Sequence, residues 1–435
     1  MTIAQMTRAL RASEMTARDL TLGYLARIRE NAHLHAVIQV NPDAMGLAEG
    51  LDACGNKLGA LHGVPLLIKD NISTGDAMAT SAGSLVLAGN MAPHDAPVAA
   101  RLRRAGAVLL GKANMTEFAN YMAGDMPNGY SSRGGQTLNF FDAAADPSGS
   151  STGSAVAVAA GLCAAAIGTE TWGSIISPAK RAGIVGLKPT AGLVPNQGIL
   201  PISPTLDTAG PMARYVEDAA MLLGVMAEKT YLAAPSAPLR IGVCRNFVAD
   251  TDPEVVAAGE SVIAALRGEG LPVTELPDHE LKAEFTPTIM LHEFAAGVAN
   301  YLAEMANPEL PQTLGDIIAH NRRTPGALVY GQDILERAAT CAGLDAPEYR
   351  AALEQREEAI AAFDAYFDDN GVDVILMLAA GCSLAPATGF PALTLPIGKT
   401  EKGLPIGCYL VARRHAEEAL LRMGLAVEGV VHQKS

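Results

Sequence analysis

The chain has 435 residues, of which 49% are hydrophobic and 18% are charged, so it carries enough apolar material for a large core and is not a disordered protein. Its formal net charge is −14, and its basic residues form no cluster longer than short pairs such as Arg103-Arg104. This balance argues against nucleic acid or an anionic membrane as a partner and favours a small neutral or basic substrate.

Six cysteines are scattered through mostly apolar segments without any C-x-x-C pair. The pattern indicates neither a disulfide framework nor a zinc site, so we expect free thiols. The first ten residues lack the apolar core of a signal peptide, and the apolar run at 155–168 is too short to cross a bilayer. We therefore expect a soluble cytoplasmic protein, apart from any leader removed before Met1. The cysteines are Cys54, Cys163, Cys244, Cys341, Cys382 and Cys408.

The N-terminal pattern predicts a helix, a strand, a helix and a strand at residues 2–31, 35–41, 43–53 and 61–69. The last of these strands is apolar and ends in Lys69, which it can carry into the interior. A lysine in the interior is costly unless it is paired or neutral. Lys69 is therefore a candidate functional residue.

Residues 98–105, 107–110 and 111–114 predict a helix, a strand and a turn, the alternation expected of an α/β sheet. The segment 106–113 nearly spells a phosphate-binding P-loop. Its spacer is apolar, however, and no serine or threonine follows Lys112. The near match therefore does not indicate nucleotide binding.

Two Ser-Gly turns lie at the two ends of the small apolar run 155–168. Residues 149–153 fit G-x-S-x-G, but a nucleophile elbow needs a hydrophobic strand before it, which 141–147 do not supply. A loop that caps a helix beginning near Ser154 is the ordinary alternative. The second turn, 168–174, offers successive backbone N–H groups to an anion, unless it is a simple tight turn.

Lys69 and one serine from each turn could supply a base, a relay and a nucleophile without any histidine, a Ser–Lys variant of triad chemistry. A Ser–His dyad is the competing mechanism, but its candidate histidines lie in segments without catalytic punctuation. No H-x-x-x-H or H-E-x-x-H spacing points to a metal hydrolase. The histidines considered are His62, His94, His292 and His320.

The C-terminal half predicts a strand, a helix and a strand at 239–244, 253–268 and 271–276, an arrangement typical of a βαβ unit. Further helices are expected at 287–305 and 346–368, and further strands at 372–378 and 392–397. No repeat, low-complexity linker or composition break divides the chain, which favours a single domain.

Four segments of the sequence resemble the signature of the amidase signature family: GVPLLIKDNI, SGSSTGSAVAVAAG, GTETWGSI and GLKPTAGLVPNQGILPISPTLDTAGPMAR. SSRGGQTLN, AIGTET and DTAGPMAR are closer to its peptide amidases than to its glutamyl-tRNA amidotransferase subunits. The resemblance implies one large α/β domain, residues 1–435, with a mixed twisted sheet covered by helices on both faces. It places a signature core at 61–223, a variable, largely helical part at 230–370 and returning strands at 371–400.

The resemblance also implies roles for individual residues. Ser174 is the expected nucleophile, Ser150 the bridging serine held by a cis peptide bond, and Lys69 the base. Ser151 and Trp172 are the expected substrate contacts, and neither a metal nor an organic cofactor is expected. The oxyanion hole is expected to be formed by the backbone N–H groups of Thr171, Trp172, Gly173 and Ser174.

The implied activity is hydrolysis of a carboxamide C–N bond through an acyl-enzyme, with release of ammonia or an amine. Peptide C-terminal amides and similar small amides are the expected substrates. The alternatives are an amidotransferase subunit that delivers ammonia to a partner, a hydrolase of esters or hydrazides, and a non-catalytic binding relative; a homodimer also fits the resemblance.

Three departures from the family pattern affect specificity more than chemistry: Thr152, Trp172 and Ile176. Trp172 is the only tryptophan, and its side chain packs either inward as scaffold or outward over a substrate pocket. We expect the outward placement, because relatives carry varied residues at this position and an aromatic face can stack on a substrate side chain.

Overall fold

A mixed sheet of eleven strands runs through the computed structural model, which describes residues 1–54, 59–232, 238–246, 248–305, 307–378 and 383–433. A separate two-stranded hairpin lies beside it. The strands are β1 (Val37–Val40), β2 (Pro65–Lys69), β3 (Val108–Ala113), β4 (Tyr130–Ser131), β5 (Gly135–Gln136), β6 (Ala165–Glu170), β7 (Val185–Lys188), β8 (Thr208–Ala213), β9 (Ile241–Cys244), β10 (Val273–Glu275), β11 (Val374–Met377), β12 (Ala392–Lys399) and β13 (Pro405–Ala412).

Fourteen α-helices surround the sheet in the part of the chain that the structure describes. They are α1 (Ile3–Arg11), α2 (Ala17–Glu30), α3 (Ala44–Ala53), α4 (Pro97–Arg104), α5 (Thr152–Ala159), α6 (Ile176–Arg181), α7 (Val216–Ala227), α8 (Pro253–Gly268), α9 (Thr286–Met305), α10 (Leu314–Asn321), α11 (Asp333–Ala339), α12 (Pro347–Asn370), α13 (Leu384–Thr388) and α14 (Glu417–His432).

The large sheet has the strand order β1-β3-β2-β6-β8-β7-β12-β13-β11-β9-β10. Strand β2 pairs in parallel with β3 and β6, and β8 closes against β6 in the antiparallel sense. Every residue of β2, β3, β6 and β8 is buried. Strands buried on both faces read as continuous apolar runs, which is why the sequence marks β2 and β6 so clearly.

Helices cover the sheet on both faces, as the sequence predicts. Successive residues of a strand point to opposite faces, and in β11 Val374 and Leu376 pack into the core shared with α7, α8 and α14. Ile375 and Met377 belong to the other core, with α9 and α12. The expected single α/β fold with a mixed central sheet is therefore confirmed.

Several predicted elements are found at their expected places. Helix α8 has the predicted bounds, and β9 and β10 on either side of it pair in parallel, which confirms the βαβ unit. The single helix expected over 2–31 is divided into α1 and α2. Helix α2 begins after Thr16, whose side chain accepts the N–H of Asp19.

The predicted turn at 111–114 is wrong. Gly111, Lys112 and Ala113 continue β3, and Ala113 pairs with Lys69 of β2. The sequence reads as a turn because it contains glycine and lysine. The Lys112 side chain is nevertheless buried, and its Nζ donates hydrogen bonds to the Ile72 carbonyl and to Thr80 Oγ1.

The returning strands extend beyond the predicted 371–400, because β13 lies between β12 and β11 and ends at Ala412. Helix α14, for which the sequence analysis made no prediction, packs on β12 and β13. Among the five cysteines in the described ranges no disulfide is formed, whereas Cys382 lies outside those ranges. No helix in the described chain is both long enough and apolar enough to span a membrane.

Gly210 of β8 supplies a test of the sheet packing next to the serine turns. A Cβ at this position would lie 2.1 Å from the Leu187 carbonyl oxygen, so the strands have to separate in Gly210→Ala. We expect a loss of about 2 kcal/mol or more in unfolding free energy, measured by denaturant or thermal melting. Gly23 of α2 is the control, because a methyl group added there would have no atom within 4 Å and alanine favours a helix. Equal stability of the two variants would contradict this packing.

Candidate active site

Lys69 ends β2 with its whole side chain buried between neighbouring strands. Its Nζ lies 2.8 Å from Ser150 Oγ, 2.9 Å from Thr169 Oγ1 and 3.1 Å from the Thr169 carbonyl oxygen. Thr169 lies in β6, beside β2. The sheet register therefore brings the candidate base and one of the two candidate serines into contact.

Burial lowers the pKa of Lys69 to about 7, because the ammonium form loses its hydration, while the negative charges of Asp207 and Glu170 oppose this shift. A neutral amine has two N–H groups and one lone pair. The Thr169 carbonyl can only accept a hydrogen bond, so one N–H is directed there. The lone pair is then available to the Ser150 hydroxyl, which is the geometry a base requires.

Ser150 is buried and follows a cis peptide bond between Gly149 and Ser150, as expected from the resemblance. Its carbonyl oxygen accepts the N–H of Thr116 at 3.1 Å. A Cβ on Gly149 would lie 2.4 Å from Thr116 Oγ1, so the residue before Ser150 has to be small. The first serine turn is thus packed tightly against the segment that follows β3.

Ser174 lies in the turn between β6 and α6 and is almost fully buried. Its carbonyl oxygen accepts the N–H of Ser151 at 3.1 Å, which joins the two serine turns. Within the described residues, no backbone hydrogen bond is donated by the N–H groups of Trp172, Gly173 or Ser174. These donors are available for an oxygen atom held beside Ser174.

Glu170 fixes the far side of this turn and was missed by the sequence analysis. Its Oε2 accepts the N–H groups of Ile175 at 2.7 Å and Ile176 at 3.0 Å, so the carboxylate caps the start of α6. A carboxylate is favourable at a helix N-terminus because it satisfies unpaired N–H groups and faces the positive end of the dipole. An acid placed directly before a short helix was the available signal.

Asp207 and Thr171 form a second support that the sequence analysis did not identify. Thr171 Oγ1 donates to Asp207 Oδ1 at 2.5 Å, and Oδ2 accepts the N–H groups of Ile202 and Ser203 at 3.0 and 3.1 Å. Burial raises the pKa of Asp207 to about 7. Asp207 thereby ties the first residue of the turn to the loop before β8.

Ser151 was expected to contact the substrate. Its side chain is fully buried, and its Oγ donates to the Thr169 carbonyl at 3.0 Å and accepts the Thr169 N–H at 3.2 Å. Both hydrogen-bonding capacities of the hydroxyl therefore serve β6. This arrangement favours a positioning role for Ser151 over the predicted substrate contact.

The histidines considered for a Ser–His dyad make other contacts. His292 Nδ1 lies 2.7 Å from the Gly343 carbonyl oxygen, and His320 Nδ1 lies 2.8 Å from the Asp316 carbonyl oxygen. Nowhere in the described ranges do three histidine, cysteine or acidic side chains come together as a metal site would require. Lys69 is accordingly the basic group found beside Ser150.

Trp172 is placed outward, as predicted. Its side chain is 43% exposed and lines a cavity of about 480 Å³. The remaining wall comes from the segment 279–287, from Met377 at the end of β11 and from the start of α13. The cavity therefore begins two residues before Ser174 along the chain, and contact of the indole with a substrate stays a prediction.

Comparisons with known proteins agree on one family. A family model described as Amidase matches residues 19–383. The structure is similar to the peptide amidase of Stenotrophomonas maltophilia, with 36% identity, a TM-score of 0.90, and coverage of 99% of this chain and 97% of that one. A probable amidase of Arabidopsis thaliana is 34% identical over 98% of this chain and 89% of its own length. A subunit of the glutamyl-tRNA(Gln) amidotransferase of Deinococcus radiodurans is 33% identical, with 99% and 97% covered.

The outward placement of Trp172 predicts that its indole contributes little to stability. Trp172→Ala should lower the unfolding free energy by less than about 1 kcal/mol, whereas Phe363→Ala, in the core, should cost about 3 kcal/mol or more. Since no other indole contributes, acrylamide should quench the folded protein's tryptophan emission readily. A large stability loss in Trp172→Ala together with protected emission would show that the side chain is part of the core.

Proposed function

The chain belongs to the amidase signature family and is an amidohydrolase, and we propose that it cleaves linear carboxamides through a Ser174–Ser150–Lys69 triad and an acyl-enzyme. Peptide C-terminal amides and similar small amides are the proposed substrates. The observation that carries the proposal is the buried Lys69 amine, which lies 2.8 Å from Ser150 Oγ and has a pKa of about 7.

The first half of the reaction forms the acyl-enzyme. Neutral Lys69 accepts the hydroxyl proton of Ser150, whose oxygen in turn takes the proton of Ser174 as Ser174 Oγ bonds to the carbonyl carbon. The carbonyl oxygen becomes an oxyanion. When this intermediate collapses, the C–N bond breaks, the nitrogen regains the proton through the same relay, and ammonia or an amine leaves.

The second half returns the enzyme to its starting state. Water takes the place of the leaving nitrogen and loses a proton to the relay as its oxygen bonds to the acyl carbon. Collapse of this second intermediate breaks the bond to Ser174 Oγ and releases the carboxylic acid. The serine oxygen regains its proton, so no cofactor is consumed.

The backbone N–H groups of Thr171, Trp172, Gly173 and Ser174 are the proposed oxyanion donors. Gly173 has φ +87°, a left-handed conformation that glycine adopts without strain and that bends the turn around Ser174. A donor that is already held in place stabilises the transition state by about 3 kcal/mol. The caps provided by Glu170 and Asp207 support this placement, because they fix the two ends of the turn.

An amidotransferase component is the second candidate, favoured by the 33% identity over nearly full length with a subunit of a glutamyl-tRNA(Gln) amidotransferase. That role requires a partner that receives the ammonia. The motif wording SSRGGQTLN and DTAGPMAR supports the peptide amidase assignment instead. Stable co-purification with further subunits, together with glutamine hydrolysis that depends on them, would favour the amidotransferase. The same triad would also cleave esters or hydrazides, which belong in the substrate panel.

The triad predicts that Ser174→Ala and Lys69→Met each lower kcat by at least about a thousandfold, since one removes the nucleophile and the other its base. Methionine keeps most of the apolar volume of Lys69, so folding can be checked by circular dichroism. Ammonia release from an amide panel measures the activity. Ser177→Ala, three residues from Ser174, is the control and should stay close to wild type. More than about a tenth of wild-type kcat in Lys69→Met would rule out the proposed base.

The pH profile tests the protonation state of the base. Because the amine has to be neutral, kcat/KM should rise with pH through about 7 and level off above about 8. Asp207→Asn removes a negative charge that favours the ammonium form, so the midpoint should shift to lower pH. Asparagine can still accept the Ile202 and Ser203 N–H groups and donate to Thr171.

Asp218→Asn is the control for this shift, because Asp218 is also a buried carboxyl but caps α1 by accepting the Ile3 N–H. Its profile should coincide with that of the wild type. A midpoint that stays fixed in Asp207→Asn, or that rises, would contradict the assignment of Lys69 as the titrating group.

A further inference from the structure

The cavity beside Trp172, here called the Trp172 cavity, has about 480 Å³, a size typical of small-molecule sites. Three separate parts of the chain form its wall. Trp172 comes from the turn after β6, Leu281 and Pro287 from the segment that leads into α9, and Met377 and Leu384 from the ends of β11 and α13. All five of these side chains are apolar or aromatic.

The charged groups of the wall lie at its rim. Lys282 and Glu284 have side chains that are 72% and 82% exposed and form an ion pair with each other at 3.6 Å. His279 packs edge-on against Tyr366 at 5.1 Å between ring centroids, and burial lowers its pKa, which favours the neutral ring. The interior therefore offers contact surface to an apolar group and no unpaired charge to a charged one.

A second cavity lies on the other side of Ser174 along the chain and has a different character. It has about 720 Å³ and is lined by Ile176 and Ser177 together with charged residues that include Lys180, Arg181 and Glu254. The two cavities adjoin where Met377 of β11 pairs with Tyr409 of β13, because each residue lines one of them. A charged substituent would find complementary groups in this second cavity.

The chemistry of a primary carboxamide decides which part of the substrate needs the Trp172 cavity. Its leaving group is ammonia, which occupies almost no volume. Trp172 contributes its backbone N–H to the proposed oxyanion turn, so the carbon that bears the oxyanion lies next to the residue whose side chain lines the cavity. The group that fills the cavity must then belong to the acyl part.

We propose that the Trp172 cavity binds a large apolar, preferably aromatic, side chain on the residue whose carboxamide is hydrolysed. This inference rests on the proposed amidase function and specifies its substrate class. The enzyme then prefers amides of residues such as phenylalanine and leucine over those of glycine and of charged residues. The indole face supplies offset or edge-on stacking for an aromatic ring.

A matched substrate series tests this preference: N-acetylglycinamide, N-acetylleucinamide, N-acetylphenylalaninamide and N-acetyllysinamide. Burying a phenyl group raises kcat/KM by about 10- to 100-fold over the glycine amide. Trp172→Ala should lower the phenylalanine-to-glycine ratio about tenfold, and Trp172→Phe should retain most of it. Ala283→Phe narrows the same cavity without changing the oxyanion turn and should also lower the ratio.

Phe140→Ala is the control variant, because Phe140 is an exposed aromatic that packs on Phe141 and not on this cavity. Its ratio should equal that of the wild type. A wild-type ratio near one, a preference for the lysine amide, or an unchanged ratio in both Trp172→Ala and Ala283→Phe would overturn the inference while leaving the amidase function in place.

A binding measurement separates this inference from the proposed function. In Ser174→Ala, N-acetylphenylalaninamide should change the emission of Trp172 saturably, and N-acetylglycinamide should do so at least tenfold more weakly. If no amide is hydrolysed by the wild type but this difference in binding is found, the cavity assignment stands and the function fails. Absence of both hydrolysis and binding would overturn the two together.

Discussion

The site depends on holding the amine of Lys69 in the interior without a direct counter-ion. A carboxylate in contact with Nζ would stabilise the ammonium form, raise its pKa and remove the base. Two acids lie close enough to act on Lys69 electrostatically, yet the oxygens of Asp207 and Glu170 accept hydrogen bonds from Thr171 and from backbone N–H groups. The same acids thus organise the turn around Ser174 while leaving the amine bonded to neutral partners.

Two other buried lysines show why burial alone does not make a base. The pKa values of Lys112 and Lys188 are also lowered by burial, to about 8 in each case. Lys112 donates to the Ile72 carbonyl and Thr80 Oγ1, and Lys188 donates to the Pro189 carbonyl. Carbonyl acceptors favour the protonated amine, whereas Lys69 alone of the three contacts a serine that follows a second serine turn. The neighbouring hydroxyl, more than the depth of burial, distinguishes Lys69.

The sequence predicts those features that depend on local pattern. The apolar run before Lys69, the amphipathic pattern of α8 and the composition of β6 are each contained within one segment, and the structure places them as expected. The roles of Asp207 and Glu170 could be found only from contacts that the fold creates between segments. The same limit explains the false turn at 111–114, because the acceptors that tolerate a buried Lys112 come from residues 72 and 80. The buried hydroxyl of Ser151 was likewise hidden until β6 was seen beside it.

The turn after β6 separates two tasks within four residues. Its N–H groups belong to the backbone and are present whatever side chain each residue carries, so the proposed oxyanion donors do not constrain residue 172. Its side chain points outward to a wall whose other parts come from 279–287, Met377 and α13, outside the segment that holds Lys69, Ser150 and Ser174. Substitution at position 172 can therefore change the group accepted without altering the supports at Glu170 and Asp207. This division accounts for a large aromatic residue two positions from the nucleophile in a site whose remaining geometry is fixed by small and buried side chains.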